Sequence, residues 1–114
     1  MNNTEPLTPL SMAILLALME GPQHGYALMQ EIEAKTGRRP GTGTLYAALD
    51  RLEEEDHIAE CEVDTAEDAR RRYFRITPGG MAAARAESAR MLGVLDQARA
   101  GSVFTSFSAL REMS

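Results

Sequence analysis

The sequence predicts a mainly α-helical chain with one small β-hairpin, and three observations carry that expectation. Four stretches space their apolar residues at helical intervals, and two threonine–proline pairs, Thr8-Pro9 and Thr77-Pro78, stand where helices would begin. Alanine, leucine and methionine are plentiful, tryptophan is absent and aromatic residues are few, which also favours helices. Two short runs, 58–63 and 71–76, alternate at the strand period around a polar turn.

Residues 1–7 read as a loose arm. Thr8 caps the first helix and Pro9 takes its first position. From Leu10 to Met19 the helix is apolar almost all round, so it is buried on more than one side. Either it is the central core helix of one chain, or Leu10 and Ile14 also meet a partner subunit. Gly21-Pro22 ends it. The second helix runs from His24 or Gly25 to Thr36 and stops at Gly37, with Leu28 and Ile32 on one face and Tyr26 and Met29 beside them. Lys35, Arg38 and Arg39 follow, and Pro40 breaks the chain.

The third helix, within Gly41 to Glu55, is the one the other elements surround. Leu45, Ala48, Leu49 and Leu52 make its buried face. Ala47, Asp50 and Glu54 point the opposite way, with Thr44, Tyr46 and Arg51 on the flanks. Thr42 or Thr44 can cap it, and the glycines let its backbone approach another molecule closely. Free N–H groups and a positive dipole at such an end suit a phosphate. An ordinary amphipathic helix with a glycine-rich lead-in fits the same residues. Two helices joined by a short glycine- and proline-containing connection suggest a helix-turn-helix, whose second helix enters the DNA major groove.

Asp56-His57 then turns the chain. The first strand sets Ala59, Cys61 and Val63 on one side, with Glu60 and Glu62 between them, and Cys61 reads as a core residue of that strand. Residues 64–69 form the turn. The return strand points Phe74 and Ile76 inward and Arg71, Tyr73 and Arg75 outward. A hairpin after a helix-turn-helix is a wing, so Arg70, Arg71 and Arg72 sit where a wing touches phosphates or a minor groove. Alternatively they neutralise Glu60, Glu62, Glu67 and Asp68. The last helix runs from Pro78 to about Ala100. In it Met81, Ala84, Ser88, Met91, Leu95 and Ala98 recur at spacings of 3 and 4, a short heptad seam. With the surplus apolar surface of the first helix, the seam suggests a homodimer. In the tail from Ser102 to Ser114, Val103, Phe104, Phe107 and Leu110 form a helix-like stripe. The expected organisation is a winged helix-turn-helix over residues 1–77 and a C-terminal dimerisation helix and tail over 78–114, together one structural domain.

Composition bounds the function. A chain of 114 residues is one domain, and its net charge of −5 argues against non-specific nucleic-acid binding. The cations are clustered at residues 35–39 and 70–75, however, so a basic patch on an acidic protein is expected. The single Cys61 excludes an intramolecular disulfide. His24 and His57 lie far apart and lack a metal-ligand pattern, so neither metal nor cofactor is expected. No stretch approaches the roughly 20 apolar residues of a membrane span, and the N-terminus has no basic signal region. A soluble, cytoplasmic protein is therefore expected. Neither a nucleophile–base pair nor a phosphate loop is present, so an enzyme is not expected.

The ordered motifs resemble one family. His24-Gly25-Tyr26-Ala27-Leu28, Gly41-Thr42-Gly43-Thr44-Leu45-Tyr46-Ala47-Ala48-Leu49, Arg51-Leu52-Glu53 and Arg71-Arg72-Tyr73-Phe74-Arg75-Ile76-Thr77-Pro78 are similar to the PadR family of bacterial transcriptional regulators, its smaller type with one dimerisation helix. The likeness covers roughly residues 8–80. It implies a dimeric winged-helix repressor of a palindromic double-stranded DNA operator, often released by a small apolar or phenolic effector and encoded beside the genes it controls. On that reading Thr42, Gly43, Thr44, Tyr46, Ala47, Asp50 and Arg51 face DNA, with Thr44 and Ala47 placed for a thymine methyl. Tyr26 either donates its hydroxyl to a phosphate or packs the helix pair. Met12, Leu16, Met91 and Leu95 line either an effector pocket or a plain dimer core. The chain departs from the family pattern in three places. Ala47 stands where proline is common, Asp50 where a basic or polar residue is common, and Asp68-Ala69-Arg70 where the wing tip carries glycine-arginine-proline. A winged-helix protein-interaction module without DNA binding is the competing reading, and a ligand-binding helical dimer without DNA activity a third.

Overall fold

The structure is a computed structural model that describes residues 6–63 and 71–101. Arg70, the hairpin turn at 64–69, the tail stripe from Val103 to Leu110 and the first five residues of the arm lie outside the described residues.

Helix α1 (Pro9–Leu18) begins where the threonine–proline pair predicts, with the Thr8 side chain accepting the Ser11 N–H at 3.0 Å. Ile14 and Leu15 are 0% exposed at the centre of the core, joined by Met12, Ala17 and Leu18. The other three helices and the sheet all pack on α1. Its all-round apolar surface is thus mostly covered inside one chain, and Ile14 is not available to a partner. Leu16 and Met19 remain about half exposed. Leu7 is not loose, since its N–H donates to Glu87 Oε1 at 3.2 Å.

Next comes β1 (Gln23–His24), a strand the sequence does not announce, because two residues carry no alternation. Helix α2 (Gly25–Thr36) starts at once, capped by His24, whose Nδ1 accepts the Ala27 N–H at 3.2 Å. Gly37, at φ 81°, ends it in the left-handed conformation that glycine adopts without steric cost. Helix α3 (Thr42–Glu54) follows, then β2 (Ile58–Cys61), β3 (Tyr73–Ile76) and α4 (Pro78–Ala100).

The strands form one antiparallel sheet in the order β1-β3-β2. Ile58 pairs with Ile76 and Glu60 with Phe74, so these four share one face of the sheet, which carries Ile58 and Phe74 into the core and leaves Glu60 exposed. Phe74 at 0% and Ile58 at 1% exposure set that register. Ala59 and Cys61, both half-buried, lie on the other face, across from Arg75 and Tyr73. This corrects the reading of Cys61 as a strand core residue: the register follows the two large side chains, which bury more apolar area than alanine and cysteine. Burial still raises the Cys61 thiol pKa, against the pull of Arg75.

Thr77 joins the sheet to α4. Its hydroxyl accepts the Gly80 N–H at 3.0 Å and donates to the Asp56 carbonyl at 2.6 Å. Helix α4 packs on α1, with Ala83, Ala84 and Glu87 buried in its first half, and from Ser88 to Gln97 every residue is exposed. The seam read from the sequence therefore splits. Ala84 lies in its own chain's core, Met81 and Ala98 are half-buried, and Ser88, Met91 and Leu95 face outward. The bulky exposed positions are Met91, Leu92, Val94 and Leu95.

Candidate nucleic-acid interface

Three leucines fasten α3 to the core. Leu45, Leu49 and Leu52 are each 0% exposed, and they hold the helix against α1 and β2. This anchoring leaves Thr42, Gly43, Thr44, Ala47, Asp50 and Arg51 on the exposed side. The cap differs from expectation. Gly41 is the N-cap residue, and no side chain caps this end; Thr42 and Thr44 lie inside the helix. The first intrahelical bond runs from the Leu45 N–H to the Gly41 carbonyl at 2.9 Å. The N–H groups ahead of it have no helical acceptor and carry the positive end of the helix dipole. With residues 41–44 all exposed, the end of α3 is an open hydrogen-bond donor surface.

Cations lie beside it. Arg38 and Arg39 are exposed in the connection just before α3. The Arg39 guanidinium stands 5.5 Å from the centroid of the Tyr26 ring and pairs with Glu33 at 3.1 Å. Tyr26 is 51% exposed, so its ring supports Arg39 rather than filling the core. Lys35 is held by Glu20 and Glu31 at 3.0 Å each, and those two carboxylates keep its pKa high.

Tyr46 is placed differently. It is half-buried, packs on the core, and sets its phenol tip against the backbone at Gly25. The sequence groups Tyr46 with the outward residues because its position on the helical wheel is a flank; only the glycine in α2 hints at where the ring goes.

Of the three hairpin arginines expected to meet DNA, Arg71 and Arg72 are described, and they are arranged unlike one another. Arg71 is exposed, with a guanidinium nitrogen 2.7 Å from His24 Nε2. Arg72 lies 5.1 Å from the Phe74 ring centroid, bonded to Glu60 at 2.6 and 2.9 Å and to Glu53 at 3.3 Å. Those bonds, Glu60's first, raise its pKa. Neutralisation by Glu60, which the sequence offered for the whole cluster, is thus seen at Arg72. Exposed pairs of this kind are worth about 0–1 kcal/mol, so the carboxylates would compete only weakly with a phosphate. Asp50, Glu53 and Glu54 make the second half of α3 acidic, which contrasts with its amide-rich start.

The residues expected to line an effector pocket differ in burial. Met12 is in the core, while Leu16, Met91 and Leu95 are each nearly half exposed. Among the described residues there is no cluster of three or more His, Cys, Asp or Glu side chains that could hold a metal ion. Among them, too, no helix is long and apolar enough to cross a membrane.

Three helices with a short turn between α2 and α3, closed by a small antiparallel sheet, define a winged-helix protein of the kind that binds DNA. The chain belongs to the PadR-like family of transcriptional regulators, whose family model matches residues 14–86. It is 45% identical over 69 residues to an uncharacterised 37.1 kDa protein in transposon TN4556 of Streptomyces fradiae; the match takes in 60% of this chain and 19% of that protein. The structure is similar to a transcriptional regulator from Clostridium thermocellum, with a TM-score of 0.69 at 28% identity over 79% of this chain and 86% of that one. A PadR family transcription regulator from Clostridium difficile shares the fold, with a TM-score of 0.70 at 18% identity over 81% and 96% of the two chains.

Proposed function

We propose that this chain is a homodimeric repressor that places α3 in the major groove of a palindromic double-stranded DNA operator and lays its hairpin along the backbone as a wing. The observation that carries the reading is the open start of α3: exposed, without a side-chain cap, flanked by Arg38 and Arg39, and held on a rigid leucine face. Backbone amides at Thr42, Gly43 and Thr44 fix register on a phosphate, and Thr44 and Ala47 meet base edges. Arg51, Tyr26 and Arg71 add contacts on the flanks, joined by Arg70 and by Arg72 once it leaves its carboxylates. Residues 1–77 serve as the DNA-binding part and 78–114 as the dimerisation part. Two α4 helices pair through Met91, Leu92, Val94 and Leu95, which brings Leu16 toward the same seam. A small apolar or phenolic effector binds there and releases the operator by changing the spacing of the two α3 helices.

DNA binding measured across a salt series tests this. With roughly 6–10 phosphate contacts per dimer, log affinity falls with log salt at about −0.9 per contact. Arg71→Ala makes the slope shallower by about 0.9 for each half-site. The net charge of −5 and the acidic second half of α3 favour one other reading, a winged helix turned to protein partners. Binding without salt dependence, or no DNA binding at all, would select that one.

A further inference from the structure

The first residue of α2 is a glycine that the backbone does not require. The left-handed glycines among the described residues are Gly21 and Gly37, and Gly25 is not one of them. Alanine would suit a helix better than glycine. Space explains the choice. A Cβ at Gly25 would lie 2.7 Å from Tyr46 Cζ and overlap the Tyr46 hydroxyl. Gly25 is buried, and the Tyr46 ring packs on the hydrophobic core. The second turn of α3 therefore rests its phenol on the backbone of the first turn of α2. The neighbouring residue, His24, caps α2 and meets Arg71 at the hairpin. One step along the chain thus links the wing to α3.

We infer that Tyr46 is a positioning residue and not a DNA contact: seated on Gly25, it fixes the angle of α3 against α2 and, through His24 and Arg71, the spacing between α3 and the wing. The inference rests on α3 being the recognition helix. Small residues let helices approach more closely than the usual 8–10 Å, and a lodged ring resists their rotation.

The test uses the full chain with Tyr46→Phe, Gly25→Ala, Tyr46→Leu and the double variant Gly25→Ala/Tyr46→Leu, assayed on operator and random DNA across salt. Tyr46→Phe is expected to leave the affinity for operator and for random DNA unchanged. A loss of about tenfold or more on both DNAs, the size of a hydrogen bond to a charged group, would mean that the hydroxyl meets a phosphate, and would overturn the inference. Gly25→Ala is expected to weaken operator binding at least about tenfold (~1.4 kcal/mol) and to lower the operator-to-random ratio. Adding Tyr46→Leu should restore part of both, because the new methyl then has room. Losses that simply add in the double variant would overturn the seat. Thermal unfolding of the same variants without DNA forms an independent cycle. Coupling between the two positions there supports the seat even where wild type binds no DNA, and additivity there overturns it. Should Gly25→Ala fold only together with Tyr46→Leu, that rescue supports the seat as well.

Discussion

At the residue scale, two carboxylates make separate predictions. Asp50 lies exposed in the second half of α3, where the proposed groove face continues. A carboxylate there accepts a hydrogen bond from cytosine N4 and repels phosphates, so it adds selectivity and weakens background binding. Asp50→Ala should therefore tighten binding to random DNA while narrowing the operator preference, by about 1–3 kcal/mol for one base contact. Equal tightening on both DNAs would show that Asp50 reads no base. Glu87 is 7% exposed, with Arg90 and the Leu7 N–H bonded to its carboxylate. Its pKa lies below the ordinary 4.5, first through the Arg90 hydrogen bond, which overcomes burial, and further through Leu7. A lowered folded pKa favours the folded state fully above the unfolded value, and that contribution is lost as pH falls through the folded one. The stability gap between wild type and Glu87→Gln should accordingly be constant near neutrality and narrow below pH 4.5. Acid titrations of unfolding would show it, and a gap independent of pH would mean that the ionised carboxylate does not pin the arm.

At the scale of elements, what was legible depended on how local the signal is. The starts of α1 and α4 follow from Thr8-Pro9 and Thr77-Pro78, and the end of α2 from Gly37, because caps are chemistry of two or three adjacent residues. The buried face of α3 was legible because Leu45, Leu49 and Leu52 keep strict helical spacing. Long-range matters were not. β1 exists only because β3 offers it an edge, and Gln23 and His24 carry no pattern of their own. The faces of β2 were set by Ile58 and by Phe74 across the sheet rather than by the small apolar residues Ala59 and Cys61. For the site, the exposed residues of α3 were legible from the same spacing that gave its core, whereas the seat of Tyr46 depends on a glycine 21 positions earlier. The arginine cluster reads as uniform in sequence, yet just ahead of β3 Arg71 goes to His24 and Arg72 to Glu60 and Glu53, partners that only the fold brings near.

At the scale of the molecule, α4 poses the question that one chain leaves open. Its first half packs on α1, and its second half carries Met91, Leu92, Val94 and Leu95 into solvent at 46–61% exposure. In the proposed dimer these four residues form the pairing surface. Under the proposed pairing, Leu95→Glu buries a charge on each side of the seam. Sedimentation should show the shift from dimer to monomer, and operator affinity should fall because the two half-sites are no longer bound together. A Leu95→Glu chain that stays dimeric would contradict pairing through this surface. Under the proposed function, the acidity of the whole molecule works with the basic connection before α3 by repelling DNA wherever the interface is not seated.

The central claim, that α3 reads DNA, is tested most directly by comparing binding to DNA upstream of the chain's own gene with binding to random DNA of equal length, for wild type and Thr44→Ala. A specific regulator prefers its site by about 10³-fold or more. Wild type should show such a preference and Thr44→Ala should lose it, with the random-DNA affinity far less affected. A wild-type chain that binds no DNA even at low salt, or a Thr44→Ala chain with undiminished preference, would contradict it.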